Sequence, residues 1–591
     1  MTDSPTDPLA YAQPDRPAPP ESRPRIWPGI LLVILFWGFT LLWNQLDITT
    51  FTRFLVAMGA RGLLLLAFVI WWLTNRRISR RDRWMVFGVL VVGGVVARLL
   101  SDRGLNIIAW LIMAVPIVLS VWAGALLLTN WHWARARRTV VIAGILLAWG
   151  SFTLIRMDGL NGDTGMSFRF RWTPTAEDLY RAQLAKAGQT PQPSLIDTST
   201  PLHLQSGDWP GFRGAERDGI VHGTHIATDW NANPPKPLWR KLVGPGWSCP
   251  IVVNDRVFSQ EQRGDDEAVF CLDAATGREL WAHLDRVRFD ESMAGPGPRA
   301  TPTFADGKLY TQGATGILNC LDAASGRLLW TRQIRPENAG LPMWGYSSSP
   351  LLAGQMVIVF EGENNHAALL AFHADTGAPA WTCDVGTMSY SSAQLVSMAG
   401  QDLALFLSDR GLSAVDPRTG NIAWEYRVPA KGTLPRSLQP HSLGDGNVLF
   451  ASEGDLGLEC IDVKLDGMGW HTSGQWQSRA MKPSFNEFVV YQRNAYGFDG
   501  GIFCCVDLQT GSRRWKQGRY DHGQVLLLED QALLLVTSEE GEVILVAADP
   551  GGHHEFGRFQ AVSGKTWCAP ALAGGRLFVR SEREMGCYQL P

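Results

Sequence analysis

The chain of 591 residues is too long for one hydrophobic core and should hold at least two domains. Its net charge of −3 hides an asymmetry: +8 over residues 1–160 (sixteen Arg, no Lys, eight acids) and −11 over the rest (37 bases, 48 acids). A mildly acidic main domain argues against nucleic acid as a partner. The nine cysteines all lie beyond residue 248 and none has CxxC spacing, so no metal motif is read and not all of them can pair within the chain.

In chain order, residues 1–25 are rich in Pro and polar groups and are expected to form a disordered cytoplasmic tail. Five apolar runs follow at 26–46, 54–74, 84–100, 105–129 and 139–155, each near the ~20 residues a bilayer-spanning helix needs. Residues 26–156 therefore read as a five-helix transmembrane region, with the lipid bilayer as its partner. No small-residue cleavage site follows the first run, which argues against a removed signal peptide. The basic loops are NRRISRRDR (75–83) and HWARARR (132–138), the second and fourth. Positive-inside counting puts the N-terminus in the cytoplasm and everything after residue 156 outside.

Residues 157–206 read as a juxtamembrane helix and linker. TPTAEDLYRAQLAKAG (173–188) carries Thr175 and, three residues on, Asp178, the pattern of a capping box. QTPQPSLIDTSTP then reads as extended linker.

From 207 to 591 one pattern recurs. CLDAATGRELW ends at Trp281, CLDAASGRLLW at Trp330, AFHADTGAPAW at Trp381, AVDPRTGNIAW at Trp424, CIDVKLDGMGW at Trp470 and CVDLQTGSRRW at Trp515, with a worn copy ending at Phe556. The closing aromatics are 49, 51, 43, 46, 45 and 41 residues apart. Within a unit such as 298–330, short apolar runs are broken by ADG and GATG, which are hairpin signals. Four short antiparallel strands per ~45 residues, repeated radially, make a β-propeller. Asp322 should accept bonds from the amides of the following turn, and Gly326 should take positive φ there. Opening markers at Pro250, Pro302, Pro350, Gln394, Pro440, Pro483, near Gln524 and at Pro570 count eight blades. Trp239 stands before the first opening and the last opening has no closing Trp, so the N-terminal strand is expected to complete the last blade. The fold class is thus an N-terminal α-helical transmembrane region of five helices plus an all-β eight-bladed β-propeller.

The repeats, with a core of small residue, x-D-x-x-T-G-x-x-x-W, resemble the pyrroloquinoline-quinone (PQQ) repeat. DWPGFRGAERDGI (208–220), GPGWSCPIV, PRATPTFADGKLY and WGYSSSPLL are similar to a membrane-anchored bacterial branch of PQQ-binding-like propeller proteins. The same repeat builds two kinds of protein: quinoprotein alcohol and glucose dehydrogenases, and the cofactor-free propeller lipoprotein of outer-membrane assembly. The resemblance implies a bacterial inner membrane, with the propeller on the periplasmic side. Its cofactor, if the enzyme reading holds, is PQQ with Ca²⁺. That family holds Ca²⁺ with Glu, Asn and Asp, whereas the opening segments here offer one carboxylate, Asp521. FEGENNH (360–366) follows the first strand of its blade and reads as a turn. No C-x-x-C-H haem motif occurs.

Residues just before each opening strand should meet over the propeller axis. In blade order they include Trp247, Ser248 and Cys249; Arg299 and Thr301; Trp344 and Tyr346; Tyr390 and Ser392; Arg436 and Gln439; Arg479 and Lys482; Tyr520 and His522; Trp567 and Cys568. Of these, Trp247, Arg299, Trp344, Tyr346, Tyr390, Arg436, Arg479, Lys482 and Trp567 are the candidate binding set. Aromatic planes stack on flat rings and Arg grips carboxylates, so a planar polyanion such as PQQ or an acidic or aromatic loop of a partner protein would suit this mouth. Arg299, Arg436 and Arg479 are expected to converge there. Trp247 and Trp567, from blades adjacent across the closure, are expected to stand side by side. Cys504 and Cys505 are read as strand residues facing opposite ways. Two functions stay open: a non-catalytic binding scaffold, and a membrane-bound PQQ-dependent dehydrogenase.

Overall fold

The computed structural model describes residues 25–43, 50–102, 104–105, 107, 110–129, 134–162, 165–187, 201–362, 368–428, 436–451 and 456–591. The expected tail and extended linker lie outside these residues, apart from Arg25 and Pro201. One compact unit includes residues 52–156 and another residues 157–591.

The first unit is helical: α1 (Trp27–Trp43), α2 (Thr50–Thr74), α3 (Arg80–Leu100), α4 (Val115–Thr129, continuing a π turn at Trp110–Ala114) and α5 (Ala134–Phe152). Among the described residues three stretches are long and apolar enough to cross a membrane, Leu55–Thr74, Arg80–Leu100 and Trp110–Thr129. The other two expected spans fall short for physical reasons. The first has only 17 helical residues, and α5 opens on Arg135, Arg137 and Arg138, which shorten its apolar part. The third helix starts earlier than its apolar run because Ser79 caps it, accepting the Asp82 amide at 3.0 Å. Trp110 stacks on Trp149 (4.5 Å, 8° between planes), and the Trp149 indole donates to the Leu90 carbonyl.

The second unit begins with a two-stranded sheet, β1 (Ile155–Leu160) and β2 (Met166–Phe170), where only linker was expected. Helix α6 (Ala176–Ala187) follows with the expected capping box: the Asp178 amide donates to Thr175 Oγ1 (2.9 Å) and the Thr175 amide to Asp178 Oδ2 (2.8 Å). It packs on the propeller through the Tyr180 hydroxyl, 2.6 Å from Glu261 Oε1, and through Glu177, which accepts from the Gly264 amide and Arg288.

Eight sheets of antiparallel strands make the propeller, blades 1 to 8 starting at residues 251, 303, 351, 394, 441, 489, 524 and 571. The ring closes as expected. Strand Lys236–Leu242 pairs with Glu584–Gln589 as the outer strand of blade 8, setting Trp239 opposite Cys587.

The repeated letters have one structural cause. At five seams the Trp of one blade (Trp239, Trp281, Trp330, Trp381 and Trp476) lies against a Gly of the next blade's turn (Gly277, Gly326, Gly377, Gly420 and Gly511), and its indole N–H donates to a carbonyl in that turn. Trp281 reaches Ala323 (3.2 Å), Trp330 reaches Ala374 (2.9 Å) and Trp381 reaches Pro417 (3.0 Å). A Cβ on Gly326 would lie 2.5 Å from the Trp281 ring, and Gly326 has φ +73°, which L side chains rarely adopt. Asp322 shapes the turn by accepting the Ser325 amide at 2.9 Å.

Two repeat positions are corrected. In blade 5 the aromatic opposite Cys460 is Trp476, not Trp470, because the last two strands, Leu458–Asp466 and Gly469–Ser478, run on into a longer hairpin. That hairpin replaces the T-G turn, so the buried Trp424 indole N–H of blade 4 finds no acceptor among the described residues. Blade 6 opens at Val489 rather than at Pro483. In blade 7, Trp230 from the segment before the propeller packs against Gly557 and the Phe559 ring.

Residues 209–221 plug the centre of the ring. Trp209 exchanges backbone bonds with Val252, Pro210 accepts from Phe304, and β3 (Ile220–Val221) runs parallel to the inner strand of blade 7. Buried Arg213 pairs with Glu487 (3.0 Å) and donates to the Phe488 carbonyl (2.6 Å), while Arg217 donates to the carbonyls of Ser349 and Pro350.

Candidate functional site

A polar collar encircles the axis just above the inner strands. The Cys249 amide donates to Thr301 Oγ1 (3.1 Å), Thr301 to Ser349 Oγ (3.0 Å), and Ser349 to Ser392 Oγ (2.9 Å). Gln439 Nε2 bonds the Ala393 carbonyl, the Gln439 amide donates to Glu487 (3.0 Å), and the Glu487 amide to Gln524 (3.2 Å). Gln524 Nε2 reaches the Trp567 carbonyl, and the Ala569 amide returns to Cys249 Sγ at 3.2 Å. Each seam thus satisfies a backbone amide or carbonyl of one blade with a side chain of its neighbour, which locks eight sheets into one ring.

At the closure between blades 8 and 1, Trp247 and Trp567 stack with ring centres 4.6 Å apart and 28° between planes. Lys565 Nζ sits 5.2 Å from the Trp567 ring and 5.8 Å from the Trp247 ring. Phe485 and His522 extend this aromatic wall. Buried Glu539 lies beside it, its Oε1 accepting the Trp567 indole N–H at 2.9 Å.

The chain itself enters this cluster. The turn after β1 places Gly162 so that its amide donates to Glu539 Oε1 at 2.7 Å, and a Cβ there would fall 2.1 Å from the His522 ring. No larger residue fits without moving that ring. The Leu160 amide donates to the Met293 carbonyl (2.8 Å) and Lys565 to the Leu160 carbonyl (3.2 Å).

The other candidates are distributed around the ring. Arg299 lies over the Phe289 ring, pairs with Glu291 (3.0 Å) and donates to the carbonyls of Gly295 and Gly297. Arg436, 4% exposed, donates to the carbonyls of Ser408 and Val428. Arg479 is exposed at the rim, after the outer strand of blade 5. Lys482 binds Asp499 (3.1 Å), which also holds Arg513 and Lys516, and these cations keep its carboxyl below the usual range although burial opposes them. The expected convergence of Arg299 and Arg436 on a common ligand gives way to local pairing, since a buried guanidinium takes the nearest carbonyls. Trp344 and Tyr390 lie together (5.0 Å), with Tyr346 in the same small pocket as Tyr390.

Whether PQQ with Ca²⁺ fits is decided by these donors. The guanidinium groups of Arg299 and Arg436 are engaged, and beside the stacked Trp pair Gly162 lies against Glu539 and the His522 ring. Among the described residues no group of three or more His, Cys, Asp or Glu side chains could hold a metal ion. Glu363, Asn364 and Asn365 lie outside the described residues. The described residues do not fit that pair. All nine cysteines are free and buried. Cys504 and Cys505 face opposite sides of their sheet, in separate core clusters.

Sequence reasoning missed Glu539 and Lys565, which lie outside the opening segments, and the β1–β2 turn, which carries no repeat signal. Residues 265–517 match a PQQ-repeat family model described as "Outer membrane protein assembly factor BamB". Curated protein sequences give no match. Among solved structures, BamB from Moraxella catarrhalis is 16% identical, with 60% of this chain and 100% of that chain covered, at a TM-score of 0.44. Quinohemoprotein alcohol dehydrogenase from Comamonas testosteroni is 12% identical, with 69% and 84% covered, at a TM-score of 0.50. At that identity the likeness speaks for the fold alone. Residues 236–591 form an eight-bladed β-propeller, and residues 265–517 within it match the PQQ-repeat family model.

Proposed function

We propose that the protein is an inner-membrane-anchored propeller on the extracytoplasmic side that serves as a protein-binding scaffold. One observation carries this reading: the aromatic mouth, where a flat cofactor would stack, holds the protein's own β1–β2 turn, bonded to Glu539. An acidic or aromatic loop of a partner protein is the ligand class best suited to what remains at the rim. Anchoring is supported by three helices long and apolar enough to cross a membrane; the Arg-rich loops 75–83 and 132–138 belong inside, and the propeller then lies outside with the apolar part of α5 as a further crossing.

The second reading, a PQQ-dependent dehydrogenase acting on alcohols or sugars, is favoured by the stack of Trp247 on Trp567. The two part on whether PQQ is retained. Placement is tested with a reporter active only outside the cytoplasm. Fused after residue 160 it should be active, and fused near residue 80 silent. The reverse pattern would overturn the anchoring.

A further inference from the structure

The closure seam carries a pair of thiols, one a collar acceptor and the other without a place in the collar. Of the eight segments that open the blades, only two contain cysteine, SCPIVV at Cys249 and CAPAL at Cys568. They lie 319 positions apart in the chain, yet they belong to blades 1 and 8, which meet where the ring closes. Each thiol touches the backbone next to the other cysteine: Cys249 Sγ accepts from the Ala569 amide at 3.2 Å, and Cys568 Sγ donates to the Ser248 carbonyl at 3.8 Å. Both are buried, in a core cluster with Trp247 and Ala569.

We propose that Cys249 and Cys568 are a cross-linking site, forming a disulfide that closes the propeller ring covalently. The proposal rests on the extracytoplasmic placement argued above, since disulfides form and persist in oxidising compartments. Collar chemistry asks for an acceptor at position 249 but not for a thiol, and asks for nothing at 568. Blades 2, 3 and 4 fill the position of Cys249 with Thr301, Ser349 and Ser392, and Cys568 makes no collar bond. The remaining seven thiols lie on blade strands, where burial in most cases pushes them up, Cys320 to about 12 and Cys383 to about 11. Cys249 alone goes the other way, held down first by the hydrogen bond from Cys568, which favours the nucleophilic thiolate.

The reaction is thiol–disulfide exchange with an external disulfide, a folding oxidase or oxidised glutathione. The Cys249 thiolate attacks that disulfide, forms a mixed disulfide and expels one thiolate. The Cys568 thiolate then attacks Cys249 Sγ and expels the second, so the chain loses two protons and two electrons and the oxidant is reduced to two thiols. Cys249 is 6% exposed and Cys568 1%, so the exchange belongs to folding, before the seam shuts. Fixing two positions 319 apart restricts the unfolded chain over a very long loop, the case in which a cross-link stabilises most.

The test uses the full chain, exported and purified without reductant, then denatured and alkylated. Seven alkyl groups are expected, the nine cysteines less this pair, and digestion should yield one peptide joining Cys249 to Cys568. Reductant should lower the melting temperature of the wild type by a few degrees. It should leave Cys249→Ser, which keeps a collar acceptor, and Cys568→Ala unmoved. Nine alkyl groups on a chain whose reporter after residue 160 is active would overturn the cross-link while sparing the placement. A silent reporter would overturn the placement itself.

Discussion

Trp330 and Gly377 show how single residues hold the ring. Gly377 has φ +64°, and a Cβ there would lie 2.6 Å from the Trp330 ring. Gly354 in the same blade has φ +59° but open space around it. Alanine at either site carries the left-handed strain of roughly 1–2 kcal/mol, and overpacking at Gly377 adds about 1–3 kcal/mol. Thermal melts should therefore rank Gly377→Ala well below Gly354→Ala, and equal losses would mean that the Trp–Gly contact is incidental. Glu267 gives a pH dependence. Burial pushes its carboxyl up from 4.5 to about 7, with Asp285 raising it further and the Ala314 amide and Arg299 opposing. The folded state then keeps a proton that the unfolded state has lost. This contribution is full below about pH 4.5 and fades as pH rises through about 7. Denaturant midpoints at pH 5 and pH 7 should differ less in Glu267→Gln than in the wild type; an unchanged difference would assign the slope to other groups.

At the scale of elements, the plug 209–221 is held by a buried ion pair. Arg213→Met would take the guanidinium from buried Glu487, leaving only the Gln439 amide and His441 at 3.7 Å beside its carboxylate, a loss of about 3–5 kcal/mol. Adding Glu487→Gln, which keeps the acceptor for the Gln439 amide, should restore part of that stability. A double variant less stable than Arg213→Met would show that Glu487 does not need Arg213. The elements also show what was legible in the sequence. Strand starts at 251, 303, 351, 394, 441 and 489 each follow by two residues a polar collar residue, the acceptors Cys249, Thr301, Ser349, Ser392 and Glu487 and the donor Gln439. Proline marks most of these starts, because an inner strand's first position needs no N–H to give. Pro483 misled for the same reason that Glu487 informs: the collar selects the acceptor, and proline is only tolerated beside it. Trp470 misled because a longer hairpin shifts the aromatic of blade 5 by six positions, to Trp476.

Over the whole molecule, eight blades and their closure by Trp239 followed from repetition, since five seams, the closing one included, repeat one Trp–Gly contact. The filling of the mouth did not. It depends on Gly162, 377 residues before its partner Glu539, in a segment with no repeat signal. Nor could composition tell that Arg299 and Arg436 would turn to protein carbonyls instead of a ligand. The central claim is that this propeller is a scaffold whose aromatic mouth belongs to its own chain. The most direct measurement is to titrate the purified full chain with PQQ and Ca²⁺. Cofactor absorbance is followed after gel filtration, with dye reduction by alcohols and aldoses in parallel. The account predicts that no PQQ stays with the protein and no dye is reduced above background. Retention of one PQQ per chain, with dye reduction that depends on substrate, would contradict it.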